Sequence, residues 1–149
     1  MGLKDFLFGK EFVFSDSVLG DLKTRTKKEL SSASCTWTSE TQLPSQGGKT
    51  VFILEGDGIM PFKRQISSVH QIVAGLGAIV LEITTSLKKS NSLDRNLNWK
   101  NEFHLAAVTP ISVADNSFEV IFEPNDASSL NYVWCNWTAN GISNIEFKL

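Results

Sequence analysis

Seven aliphatic residues, Ile66, Val69, Val73, Leu76, Val80, Ile83 and Leu87, recur at spacings of 3, 4, 3, 4, 3 and 4. That spacing lays them in one stripe along a helix, and Ile72 and Ile79 widen it. Lys88 and Lys89 follow in the last turn, where cations complement the carbonyl end of the helix dipole. The pattern therefore predicts one long helix with Glu82, Lys88 and Lys89 facing outward. It covers about three heptads and lacks flanking charges at the positions a coiled coil would use, so a core helix lying on a sheet is expected. Gly75 and Gly77 interrupt it at about 1 kcal/mol each relative to Ala, and close approach of helix to sheet is the expected use. A glycine-cradled phosphate site is not supported, because no strand directly precedes these glycines and no Lys-Ser/Thr follows.

Strand patterns fill most of the remaining chain. Phe12-Val13-Phe14 is a short apolar run ending at Ser15-Asp16. Cys35 and Trp37 alternate with Ser34, Thr36 and Thr38. Gly47-Gly48 leads into Thr50-Val51-Phe52-Ile53-Leu54, which is apolar on both faces and so belongs at the centre of a sheet. Gly56-Asp57-Gly58 ends that strand. The run Thr24-Arg25-Thr26-Lys27-Lys28-Glu29 suits a solvated turn or hairpin tip. After a polar loop from Ser90 to Asn98 come four further strands. Glu102 to Val113 contains Pro110, which suggests an edge or a bulge. In Ser117 to Glu123, Phe118, Val120 and Phe122 face inward, with Glu119 and Glu123 outward. Leu130 to Thr138 is rich in aromatics. Asn140-Gly141 is the hairpin signal into Ile142 to Leu149, whose Ile145, Phe147 and Leu149 should point inward. The expected fold is α+β. Residues 1–149 form a single domain: a twisted antiparallel meander sheet of about six or seven strands with one long helix packed on one face.

Composition agrees with one globular domain. The 149 residues are 42% hydrophobic and 20% charged, which excludes disordered, collagen-like and coiled-coil classes. Such a chain should bury about 70% of its unfolded surface and need neither a metal nor disulfides to be stable. A net charge of −2 argues against nucleic acid as a partner. The first ten residues hold no apolar run of signal-peptide length, and Ile72 to Leu81 is too short to span a bilayer. No membrane partner and a cytoplasmic location are the expectations, with Cys35 and Cys135 reduced and buried.

No catalytic motif stands out. His70 lies beside the helix stripe, His104 sits between Phe103 and Leu105, and a structural role suits each. No HxxxH, HExxH, CxxC or GxSxG spacing occurs, so neither a metal site nor a nucleophile elbow is expected. A pairing of Cys35 or Cys135 with His104 is conceivable, but Cys135 sits between Trp134 and Trp137, where a thiol stays protonated. Glu119 and Glu123 stand about 13 Å apart on one strand face, too far for a glycosidase pair.

The surface carries the functional expectation. Trp134 and Trp137 differ by three positions, so a strand sends them to opposite faces, and whichever is less buried is a natural anchor for a partner. Residues 101–149 hold six acids and one base, a net −5. Glu119, Glu123, Asp126 and Glu102, with Trp134 or Trp137, are the candidate contact residues for a basic protein partner. The chain would act as monomer or homodimer. The leading expectation is a non-enzymatic protein-binding domain. The alternative is a small hydrolase or ligand-binding domain with a cleft between helix and sheet, using His104 or His70.

The opening Met1-Gly2-Leu3-Lys4-Asp5-Phe6-Leu7-Phe8-Gly9, the segment Asp16-Ser17-Val18-Leu19-Gly20, the central helix, and Phe118-Glu119-Val120-Ile121-Phe122-Glu123 followed by Asn140-Gly141-Ile142 together resemble small bacterial cytosolic families of unknown function. These include immunity proteins of polymorphic toxin systems. The resemblance implies a single-domain binding protein without a cofactor, toxin-neutralising or regulatory in role.

Overall fold

The computed structural model describes residues 2–27, 34–91 and 97–148. Among these the chain forms α1 (Leu3–Phe8), β1 (Lys10–Asp16), β2 (Gly20–Thr26), β3 (Cys35–Thr41), β4 (Thr50–Gly56), α2 (Lys63–Ala74), α3 (Leu76–Lys89), α4 (Trp99–Glu102), β5 (Phe103–Ser112), β6 (Ser117–Pro124), β7 (Tyr132–Thr138) and β8 (Gly141–Lys148). The eight strands make one sheet in the order β1 to β8. All neighbours are antiparallel except β4 and β5, which pair in parallel at Val51–Ala107 and Phe52–Val108. The sheet is thus two four-stranded meanders joined through a helical crossover. An antiparallel pair closes through a tight turn, whereas two parallel neighbours need a connection long enough to return the chain, and α2–α3 supplies it.

The expected α+β class stands, with three corrections. The sheet is not the antiparallel meander expected throughout: it is mostly antiparallel, because the α2–α3 crossover sets β4 and β5 in parallel. The sheet has eight strands rather than six or seven. The added strand is β2, which takes up Thr24 to Thr26 of the segment expected to be a solvated turn; Lys28 and Glu29 lie outside the described residues. Leu22 and Thr24 are buried in it while Asp21, Lys23 and Arg25 face solvent. The single long helix is two helices, α2 and α3, bent by 68° at Gly75. Two short helices, α1 and α4, accompany them.

The stripe still does its work across the bend. Val69, Ile72, Ile79, Ile83 and Leu87 are buried, and Val73, Leu76 and Val80 are half-buried against the same core. Glu82, Lys88 and Lys89 face outward. Among the described residues no single helix is long and apolar enough to cross a membrane. The inward residues of the strands meet this stripe: Leu22, Trp37, Phe52 and Leu54 from the first meander, Leu105, Val108, Phe118, Val120, Val133 and Cys135 from the second. Each of these is less than 8% exposed. At about 25 cal/mol per Å² of apolar surface removed from water, this shared core holds the two layers together.

Polar side chains close the joints. Oε1 of Gln46 accepts from the backbone N–H of Leu105 at 2.8 Å, and Oγ1 of Thr50 donates to the Leu105 carbonyl at 2.7 Å. Together they satisfy the β5 edge where β4 has not yet begun to pair. Pro110 lies within the sheet interior, not at an edge, beside a register shift between Pro110 and Ser112. The last hairpin turns on Ala139-Asn140, one residue earlier than expected, with Gly141 at φ +132° opening β8 opposite Thr138.

Candidate functional site

Packing all the buried strand positions toward α2 and α3 leaves the alternate positions on a second face. Register places Val51 opposite Ala107, Ala107 opposite Ile121, and Ile121 opposite Trp134. These four half-buried side chains form an apolar row across β4 to β7, and Trp134 is in turn opposite Glu146 on β8. Glu119 and Glu123 flank Ile121 two residues either way on β6, so both carboxylates stand diagonal to the indole. The expected outward placement of Glu119 and Glu123 agrees with the structure. Glu119, Glu123 and Glu146 make no ion pair or side-chain hydrogen bond with any of the described residues.

The tryptophans divide as their spacing requires. Trp137 is 8% exposed and packs on Phe118 with ring centroids 6.2 Å apart, so it belongs to the core and not to a contact surface. Trp134 occupies the helix-free face. Glu102 does not join Glu119 and Glu123: it lies in α4, and its Oε1 accepts from the backbone N–H of Asn98 at the start of that helix. Asp126 sits in the β6–β7 turn, where the hydroxyl and backbone N–H of Ser128 both donate to its carboxylate. Those two bonds hold its pKa below the ordinary aspartate value.

The histidines lie apart. His70 on α2 bonds Asp16 through Nε2. His104 is on β5 opposite Glu123, on the helix-free face. Cys35 and Cys135 point to the other face, into the core, so neither thiol meets His104 across the sheet. Burial, reinforced by the Glu82 carboxylate, pushes the Cys135 thiol up to about 12, which removes it as a nucleophile. Among the described residues no three His, Cys, Asp or Glu side chains gather as a metal site would require.

Two cavities bear on the expectations. The cleft between α3 and the sheet has about 270 Å³ and is lined by Leu76, Val80, Trp99, Phe103 and Phe122. Trp99 is held there by its Nε1–H donating to Oγ1 of Thr84 at 2.8 Å and by ring contacts at 5.3 and 5.2 Å with Phe103 and Phe122. Neither histidine lines it. A larger groove, about 690 Å³, opens on the helix-free face and is bounded by His104, Ile121, Glu123, Leu130 and Tyr132. Sequence reasoning named Glu123 but not this groove. Its members come from β5, β6, β7 and two loops, and only strand register unites them.

No protein-family model matches the chain, and neither a curated protein nor a solved structure matches it.

Proposed function

We propose that the chain is a non-enzymatic protein-binding domain that holds a basic partner protein on the helix-free face of β5–β8. A toxin-neutralising or regulatory role is the specific form this reading takes. One observation carries it: Trp134 stands in an apolar row on an uncovered sheet face, and Glu119, Glu123 and Glu146 around it have no counter-ion among the described residues. Desolvating an indole supplies the affinity of a contact surface. Unopposed carboxylates around it supply steering toward positive charge. A second copy of the chain suits this face poorly, because it would set the same three carboxylates against one another.

A photo-reactive residue at position 134 tests the reading, with a second one at Leu81 on the outer side of α3 as control. A basic protein from the native host should cross-link through position 134 and not through 81. Once purified, it should associate several-fold more slowly with the Glu119→Lys, Glu123→Lys variant, most clearly at low salt. Equal capture from both positions, or an association rate indifferent to the double reversal and to salt, would refute the docking face. Capture of a second copy of this chain would refute the basic-partner reading.

A further inference from the structure

The groove beside this face has the chemistry of a receptor for one side chain. Asn125 sets it up. Its Nδ2 donates to the Asn101 carbonyl at 3.0 Å, which turns Oδ1 toward Nδ1 of His104, also at 3.0 Å. An amide oxygen only accepts, so Nδ1 of the imidazole carries the proton. In the neutral ring Nε2 is then a bare acceptor. Gly48 packs beside it: a Cβ built on Gly48 would lie 2.3 Å from Nε2, 2.5 Å from Cδ2 and 2.6 Å from Cε1 of His104. Three such similar distances put that point over the face of the ring. Gly48 therefore leaves the in-plane lone pair of Nε2 clear, and no described residue bonds it.

Glu123 stands opposite His104, and its carboxylate has no partner among the described residues. The Tyr132 ring completes the wall, with Lys148 Nζ 5.8 Å from its centroid on the β8 side. Leu130, 86% exposed, forms an apolar lip. The groove thus offers a carboxylate, an imidazole nitrogen as acceptor, a phenol and apolar rims, with the Lys148 ammonium at its margin. A group that only donates, in several directions, and carries positive charge on an apolar stem fits this set. Guanidinium has five N–H donors in a planar fork, two of which match a carboxylate while others remain for Nε2.

We propose that this groove is the anchor pocket for one arginine side chain of the basic partner, with Glu123 and His104 Nε2 accepting from its guanidinium. The proposal rests on the docking reading above.

The test uses N-acetyl-arginine N-methylamide titrated into the whole protein, followed by the imidazole and phenol NMR signals of His104 and Tyr132. A saturable shift with millimolar affinity is expected, with the citrulline and lysine counterparts weaker by about fivefold or more. Glu123→Gln, an exposed change that should leave the amide spectrum otherwise intact, should weaken arginine by about fivefold as well. No saturable shift, or equal response to citrulline or lysine, overturns the pocket and leaves the docking face standing. An arginine-selective shift alongside partner association that ignores the Glu119, Glu123 reversal leaves a groove that binds arginine but overturns both the docking face and the groove's role as the partner's anchor.

Discussion

Nε2 of His70 lies 2.9 and 3.0 Å from the two carboxylate oxygens of Asp16, tying α2 to the turn between β1 and β2. The same carboxylate accepts from the backbone N–H groups of Val18 and Leu19 at 2.8 and 2.9 Å. Burial alone would raise the Asp16 pKa. The bonds from Leu19, His70 and Val18 outweigh it and hold the group below its ordinary value. An aspartate depressed in the folded state stabilises the fold above its unfolded pKa and loses that contribution as pH falls through the folded one. Stability to urea should therefore decline below about pH 4, and Asp16→Asn should flatten part of that decline. At pH 7, Asp16→Ala should cost about 1–3 kcal/mol, since it leaves two backbone donors unpaired. An acid limb unchanged by Asp16→Asn would show that other carboxylates govern it.

Cys135 is fully buried and Cys35 is 7% exposed, and neither thiol is in a disulfide. In the folded protein at pH 8 an aromatic disulfide reagent should label Cys135 no faster than global unfolding allows, because its pKa near 12 leaves almost no thiolate. In urea without reductant both thiols should titrate. Cys135→Ser should cost about 1–3 kcal/mol by burying a hydroxyl among Val120, Val133 and Trp137, and Cys35→Ser should cost less. Rapid labelling of Cys135 in the native state would contradict the packing.

Much of this architecture was legible in the sequence, and the gaps have physical reasons. The strand before the helical stripe and the strand after it form a β–α–β sequence, and a crossover of that length makes parallel neighbours. The pairing of β4 with β5 was therefore readable, though the run of hairpins around it drew attention to antiparallel order. β2 hid because its inward positions hold Leu22 and Thr24, and a buried threonine gives hydropathy no signal. The inward side of β7 could have been chosen by parity, since Val133, Cys135 and Trp137 alternate as a set against Trp134. The groove could not. It depends on the register shift between Leu105 and Ala107, which puts His104 opposite Glu123 while Ala107 meets Ile121.

Val73 and Leu76 are only half-buried against the core, so the two positions tolerate substitutions that fully buried ones do not. Charges at those two positions can turn toward water, whereas Ile72 and Ile83 have no exposed surface. Ile72→Asp and Ile83→Asp should abolish folding, because each strands a carboxylate in an apolar layer. Val73→Asp should leave a folded protein of reduced stability. Ile83→Ala should cost about 2–5 kcal/mol through lost burial and the cavity left behind. Circular dichroism melts rank the four, and a Val73→Asp protein as unfolded as Ile72→Asp would place Val73 in the dry core.

Gly75 and Gly77 do different jobs, and neither is the close approach to the sheet that their mid-helix position suggested. Gly75 is the hinge residue between α2 and α3. A Cβ there would come within 2.9 Å of the Gln71 carbonyl oxygen, which bonds the Gly75 N–H at 2.8 Å. Gly75→Ala must shift that last turn of α2, and it should destabilise the fold by about 1 kcal/mol or more while straining the bend. Gly77 sits in the first turn of α3 with nothing within 4 Å of a built Cβ and no left-handed backbone angle. Gly77→Ala should therefore stabilise the protein by about 0.4–1 kcal/mol, chiefly by restricting the unfolded chain. The opposite signs separate hinge from spare glycine in a single pair of urea titrations. Gly77→Ala proving destabilising would contradict the open space around a Cβ at this position.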